Sequence, residues 1–374
     1  MARECEILCD GEALKKILTV VGARPQFVKA AVVSREFGRR EHVREILLHT
    51  GQHFDSNMSD VFFKELEIPK PDYHLGIGGG THGQNTGRMI EAIEGVLMRE
   101  KPDWVLVYGD TDSTLAGALA AVKLHVPVAH VEAGLRSYNR AMPEEINRVL
   151  TDHVANILFS PTNVATDNLL KEGVDAAQIH QVGDVMFDAA IYYARKLEHS
   201  DSIFDRLQVQ QHNYVLATLH RAENTDNPVR LAATVEMLNM AAVQLPVILP
   251  LHPRTRKAIE KLSGHQFHAN VHVIDPVGYL EMVLLEKGAS VIVTDSGGVQ
   301  KEAYFHKVPC ITLRDETEWV ELVDSGWNVL VGHELSKFSA AFDSAIGGKL
   351  PEWSADFYGN GHAAEIIVER IMCS

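Results

Sequence analysis

At 374 residues the chain has room for two domains with separate cores, and 46% hydrophobic against 23% charged residues is the balance of a folded, water-soluble protein. A formal net charge of -15 argues against nucleic acid as a partner, because a phosphate backbone demands a basic surface. No apolar run reaches membrane-spanning length, the first residues lack a basic-then-apolar leader, and Cys5, Cys9, Cys310 and Cys373 lack the spacing of a disulfide or zinc framework; a cytoplasmic protein without membrane contact is expected.

Short β-branched runs alternate with longer helical patterns along the chain. Ile17–Val21 reads as the first strand and ends in Gly22-Ala23-Arg24-Pro25, where proline can open a helix. Arg24 and Lys29 then stand at the strand's C-terminal edge, either facing an anion or forming a solvated basic loop. After a strand at Glu45–His49, the strand Trp104–Tyr108 runs into Gly109-Asp110-Thr111-Asp112. Asp112 reads as the N-cap of a helix beginning near Thr114, whereas Asp110 has no such structural duty.

Val126–Val131, the next strand, leads into Glu132-Ala133-Gly134-Leu135-Arg136. A carboxylate partly withdrawn from water at a strand end suits proton transfer; the plainer reading is an i,i+4 ion pair with Arg136. Met142–Arg148 reads as the first turns of a helix, with Glu144 and Arg148 on one face, and Ile157–Ser160 as a further strand. Asp110, Glu132 and Glu144 thus come from loops at one sheet edge, and like charges gathered there need a proton, a cation or a reaction to justify them.

Val182–Asp188 leads into a helical run, Ala189–Leu197, and a polar stretch, Glu198–Asp205, which places a domain boundary near residue 185. The expected domains are 1–185, with 359–374 packing back on it through a helix at Ala363–Met372, and 186–358. Strands in the second half are read at Tyr214–Thr218, Val247–Leu251, Val271–Ile274, Ala289–Thr294, Cys310–Leu313 and Asn328–Leu330. Few of these runs alternate, as expected of strands covered on both faces, and strands separated by helices build doubly wound parallel sheets. Two such α/β domains facing each other would bind a ligand in the cleft at the C-terminal ends of their strands.

The strand Ala289–Thr294 is followed by Asp295-Ser296-Gly297-Gly298. Two glycines let the backbone approach a ligand, and a helix starting there points its N–H groups and positive end at an anion. With His220-Arg221, His252-Pro253-Arg254 and Arg314, each after its own strand, they form a set suited to a diphosphate. Glu302, about one turn into the helix, can accept the two hydroxyls of a ribose or stand as a surface acid, and Pro276-Val277-Gly278-Tyr279 can hold a nucleobase. The 19 histidines show no metal-ligand spacing, and no metal is expected.

Seven motifs taken together carry a family resemblance: Gly22-Ala23-Arg24-Pro25, His49-Thr50-Gly51-Gln52-His53, Gly109-Asp110-Thr111, Val131–Arg136, Pro143–Arg148, His220–Asn224 and Asp295–Gly298. From Lys16 to about Gly332 the chain resembles the non-hydrolysing UDP-N-acetylglucosamine 2-epimerases. The resemblance implies two Rossmann-like domains in a glycosyltransferase-B arrangement with the active site in the interdomain cleft, the second domain holding most of the UDP. It also implies a homodimer, no cofactor, and a reaction that inverts C2 of a UDP-linked 2-acetamido sugar by anti elimination of UDP and re-addition to a glycal. Asp110, Glu132 and Glu144 would lie by the sugar, with Glu132 or Asp110 carrying the proton. Arg24, Lys29, Arg148, His220 and Ser296 would face the phosphates, His220 steadying or protonating UDP.

One departure bears on the substrate. Arg314–Glu321 carries Trp319-Val320 where the common family pattern has Arg-Pro. That form resembles the branch acting on UDP-2,3-diacetamido-2,3-dideoxy-glucuronic acid, whose manno epimer enters bacterial surface polysaccharide such as O-antigen. The stretches Gln52–Met58 and Gly78–Gln84 also differ from the plain enzymes, in some of which the corresponding loops hold a second, activating UDP-N-acetylglucosamine. The alternatives are the plain epimerase giving UDP-N-acetylmannosamine and a glycosyltransferase on the same scaffold.

Overall fold

The computed structural model describes residues 14–52, 66–197, 202–262, 264, 266–348, 350–354 and 357–374, with the backbone alone for Arg24 and Ser202. The chain divides into two compact units, Met1–Asp188 with Tyr358–Ser374, and Ala189–Phe357.

The first unit holds seven strands: β1 (Lys15–Val21), β2 (Val43–His49), β3 (Tyr73–His74), β4 (Trp104–Tyr108), β5 (Val128–Val131), β6 (Ile157–Ser160) and β7 (Ile179–Gln181). They form one sheet in the order β3-β2-β1-β4-β5-β6-β7, and every pairing is parallel. β4, β5 and β6 are buried at every position, which is why their sequences are largely apolar rather than alternating, with His130 of β5 and Ser160 of β6 as the polar exceptions. Leu18, Val20, Ile46, Leu48, Val105 and Val107 pack against Met89, Ile93 and Val96 of the helix His82–Glu100. β3 and β7 escape the sequence reading because two or three residues at a sheet edge show no period.

The helix after β4 starts earlier than the sequence suggests. Asp112 is its first residue rather than its cap, and Thr111 is the N-cap, accepting a hydrogen bond from the Thr114 N–H. The helix Ala363–Met372 belongs to the first unit. Its last carbonyls, Ile371 and Met372, accept from Lys15 Nζ at 3.1 and 3.0 Å, and the Ala364 N–H donates to Asp188 Oδ2 at 2.8 Å. A cation at the C-terminal end and a carboxylate at the N-terminal end match the helix dipole.

The second unit holds β8 (Val215–Thr218), β9 (Val247–Pro250), β10 (Val271–Ile274), β11 (Val291–Thr294), β12 (Cys310–Thr312) and β13 (Asn328–Leu330), in the parallel order β10-β9-β8-β11-β12-β13. Its core joins Val215, Ala217, Val247, Leu249, Val291 and Val293 to Leu231, Val235 and Leu238 of the helix Pro228–Ala242. In both sheets the winding reverses beside the first strand, between β1 and β4 and between β8 and β11. Open parallel sheets bind ligands beyond the strand C-termini at such a switch point.

Candidate active site

At the first switch point the loops after β4 and β5 meet the helix Arg24–Phe37 that follows β1. Lys29 of that helix forms an ion pair with Glu132 Oε2, with the two side chains only 10% and 8% exposed. Gly109 makes room for the pair: a Cβ there would stand 3.3 Å from both Glu132 Oε2 and Lys29 Nζ. Glu132 itself has a φ of +71°, a conformation costly for a residue with a side chain and one that clusters at functional sites. The turn is held by the Glu132 and Ala133 N–H groups, which donate to the Phe159 carbonyl at 3.1 and 3.0 Å.

Asp110 has its own cation. Arg148, buried on the helix Pro143–Val154, donates through Nη2 to Asp110 Oδ2 and through Nη1 to Glu145 Oε2 at 3.0 Å. Asn147, one residue earlier, donates to the Asp110 carbonyl at 3.0 Å and to Asp112 Oδ1 at 3.1 Å, while His82 Nδ1 lies 2.8 Å from Asp112 Oδ2. The sequence reading set Arg148 with Glu144 on one face; Arg148 instead pairs with Glu145 and Asp110, and Glu144 stands exposed on the first helical turn. Glu145 is buried because three further donors satisfy it, the Ser137 N–H, the Ser137 hydroxyl and the Tyr138 N–H, at 3.0, 3.0 and 2.9 Å.

Arg136 is likewise engaged elsewhere than the i,i+4 spacing suggests. It donates to Asp152 Oδ2 at 2.7 Å and forks onto both oxygens of Glu172 at 2.7 Å. Asp152 Oδ1 lies 2.7 Å from His130 Nδ1, and both side chains are fully buried. Burial works to raise the Asp152 carboxyl, but His130 and then Arg136 hold it below the ordinary value. Glu172 is held low chiefly by its hydrogen bonds from Arg136.

At the second switch point the organising residue is Asp295. Fully buried, it accepts from the His220 N–H at 3.1 Å, the Arg221 N–H at 3.0 Å and Asn224 Nδ2 at 3.2 Å, and its Oδ1 lies 3.4 Å from His220 Nδ1. This pins the loop after β8 and leaves the His220 ring 56% exposed. Ser296 is the N-cap of the helix Gly297–Phe305, accepting from the Val299 N–H. A Cβ on Gly297 would come within 2.6 Å of Glu318 Oε1, whereas one on Gly298 would meet nothing nearer than 3.9 Å, so the backbone there is bare.

Glu302 is buried on this same helix. Arg314 is buried and donates to Glu318 Oε2 at 3.0 Å; burial works to raise the Glu318 carboxyl, and Arg314 and Arg221 keep it below the ordinary value. Arg254 is exposed, with Nη2 on the Asp226 carboxylate at 3.0 and 2.9 Å. Trp319, of the departing Trp-Val pair, is buried with the Lys301 ammonium 4.2 Å from its ring centroid. Tyr279, read as part of a nucleobase platform, opens the helix Tyr279–Gly288 with its ring buried edge-on against Tyr193.

Glu145, His130, Asp152, Asn147 and Asp295 were not singled out from sequence. Asp295 satisfies the criterion that found Glu132, an acid directly after a buried strand, and that signal was available. The side chain of Arg24, the stretch His53–Met58, Cys5 and Cys9 lie outside what the structure describes. Among the described residues no cluster of three His, Cys, Asp or Glu is placed to hold a metal ion, and no helix is long and apolar enough to cross a membrane.

A family model described as UDP-N-acetylglucosamine 2-epimerase matches residues 35–372. The chain is 56% identical over 359 residues to the UDP-2,3-diacetamido-2,3-dideoxy-D-glucuronate 2-epimerase of Pseudomonas aeruginosa, covering 95% of this chain and 99% of that one. It is 45% identical over 360 residues to a UDP-N-acetylglucosamine 2-epimerase of Methanocaldococcus jannaschii, covering 94% and 98%. The crystal structure of the Methanocaldococcus jannaschii UDP-GlcNAc 2-epimerase in complex with UDP-GlcNAc and UDP matches with a TM-score of 0.86 at 43% identity, covering 96% of this chain and 100% of that one. That of the Neisseria meningitidis enzyme bound to UDP-GlcNAc gives 0.86 at 34%, with coverage of 96% and 100%.

Proposed function

Because this chain belongs to the UDP-N-acetylglucosamine 2-epimerase family, we propose that it inverts C2 of UDP-2,3-diacetamido-2,3-dideoxy-D-glucuronic acid, giving the manno epimer. Its two parallel-sheet α/β units are those of the glycosyltransferase-B type fold shared by the structural neighbours. The choice of substrate is supported by 56% identity to an enzyme named for that sugar, against 45% to one named for UDP-N-acetylglucosamine, and by Trp319-Val320.

The chemistry follows from the two edges. A carboxylate of the first unit, Glu132 or Asp110, takes the C2 proton; the C–H electron pair becomes the C1=C2 bond, and the C1–O pair leaves with UDP. UDP then returns to C1 as C2 is protonated from the opposite face. The observation that carries this reading is the pairing of each acid with its own buried cation, Glu132 with Lys29 and Asp110 with Arg148, at one switch point. Those cations balance the acids and offer further donors to the departing diphosphate, together with Arg24.

Glu144 contacts the sugar from the first turn of its helix. In the second unit Ser296, Gly297 and Gly298 receive the diphosphate at a helix N-terminus, Arg254 and Arg314 supply positive charge, and Glu302 takes the ribose hydroxyls. His220, held by Asp295, steadies UDP as it leaves. The enzyme works in the cytoplasm as a homodimer without cofactor or metal, and its product is used for bacterial surface polysaccharide, the O-antigen of lipopolysaccharide.

Proton NMR of the purified protein with each UDP-sugar in D2O tests the reading. Epimerisation of the diacetamido-uronate with deuterium entering at C2 is expected, and UDP-N-acetylglucosamine should turn over far more slowly. Turnover of UDP-N-acetylglucosamine alone would establish the second reading, which the family model's description favours. Product without deuterium at C2 would rule out the elimination route.

A further inference from the structure

His130 lies on β5, two residues before Glu132, and is completely buried. Its Nε2 is 2.7 Å from the Gly109 carbonyl oxygen, an atom that can only accept, so Nε2 carries a hydrogen. Its Nδ1 is 2.7 Å from Asp152 Oδ1, while Asp152 Oδ2 already accepts from Arg136 Nη1 at 2.7 Å and the Gly134 N–H at 3.0 Å. Those donors and the buried guanidinium fit an ionised carboxylate, so Nδ1 carries a hydrogen as well.

A ring with hydrogens on both nitrogens is a cation, and a buried cation is costly unless it is paired. Here Asp152 answers His130, Glu172 answers Arg136, and the four charges cancel.

The ring's second contact falls on the catalytic loop. The Gly109 carbonyl belongs to the peptide that leads into Asp110, whose own carbonyl is held by Asn147. Both peptides of Asp110 are therefore pinned, and its carboxylate is left facing Arg148. We propose that His130 is a positioning residue: a buried imidazolium that clamps the Gly109 carbonyl and thereby sets the direction of the Asp110 carboxylate. The identity of the reaction it serves rests on the epimerase reading; the charge state of the ring does not.

Two measurements test this separately. In histidine-labelled wild-type protein at neutral pH, long-range proton–nitrogen NMR should place both His130 ring nitrogens at the protonated position. The signals are assigned by their loss in His130→Asn or, if that variant does not fold, by through-space contact with Gly109. One protonated and one bare nitrogen would overturn the proposal. In steady-state kinetics His130→Asn and His130→Gln should lower kcat about a hundredfold, the scale of a 1 Å misplacement, with KM within about twofold. An unchanged kcat, or a rise in KM alone, would also overturn it. If wild-type enzyme epimerises neither sugar, the reaction reading fails while the NMR result still decides the state of the ring.

Discussion

Glu132 in the first unit and Asp295 in the second are each the residue directly after a strand buried at every position. Their surroundings differ. Glu132 faces a side-chain ammonium across a space opened by Gly109, whereas Asp295 is met by two backbone N–H groups and an asparagine amide. Donors fixed in the main chain make Asp295 a strut that shapes a loop. The carboxylate of Glu132 instead faces an ammonium carried on a flexible four-carbon stem. The same position after a strand thus yields a carboxylate held by a side-chain cation at one edge and one held by the main chain at the other.

The largest effect should come from replacing the carboxylate proposed to carry the proton. Glu132→Gln should lower kcat by about a thousandfold, within the range of general acid–base catalysis, while calorimetry shows UDP binding retained. Equal turnover would place Glu132 with Asp295 as a strut. Next, Lys29→Met leaves Glu132 buried without its cation and should cost about 3 kcal/mol in urea denaturation; adding Glu132→Gln should recover part of that loss.

Asp188 sharpens the contrast, because it belongs to the first unit yet is held by a backbone donor in the manner of Asp295. Burial raises its carboxyl from 3.8 to about 6, the Ala364 and Ala363 N–H groups offsetting part of the rise. A carboxyl raised in the folded state adds stability that is full below its unfolded value, near 4, and is lost as pH climbs through about 6. Asp188→Asn should flatten thermal stability across that window, by roughly 2 kcal/mol relative to wild type. Melting curves with unchanged slope would show that the carboxyl is solvated.

Asp295→Asn turns an amide N–H toward N–H donors and should destabilise the protein by about 2 kcal/mol, leaving buried donors unmet. The smallest effect belongs to Gly297→Ala, whose methyl must displace the Glu318 carboxylate held by Arg314. UDP affinity should fall about tenfold, equivalent to about 1.4 kcal/mol, in a calorimetric titration. An unchanged affinity would show that this turn does not meet the nucleotide.

Every strand of the second sheet, and five of seven in the first, could be read from apolar runs, which burial on both faces leaves unbroken in β4 and β8, while the edge strands β10 and β13 are partly exposed and carry His272 and Asn328. The site was legible in part. Glycine turns and acids after strands leave a local mark, and the conspicuous ones were Gly109-Asp110, Glu132 and Ser296-Gly297-Gly298. What local spacing could not supply was the partners. Lys29 meets Glu132 from 103 positions away, Arg148 reaches Asp110 across 38, and Arg136 pairs with Glu172 across 36. Even within one helix, choosing Glu145 over Glu144 as the partner of Arg148 depends on the Ser137 and Tyr138 donors, which belong to a loop whose path the sequence does not reveal.

The clasp between Lys15 and the carbonyls of Ile371 and Met372 has a consequence for synthesis. Ile367, Val368 and Ile371 are fully buried within the first unit, yet they are translated after the whole of the second. On the ribosome the later-made unit can therefore close around its own core while the earlier-made one waits, its apolar seam uncovered, for the final helix to emerge. A stop codon just ahead of Ala363 would strand the half translated first and spare the half translated second.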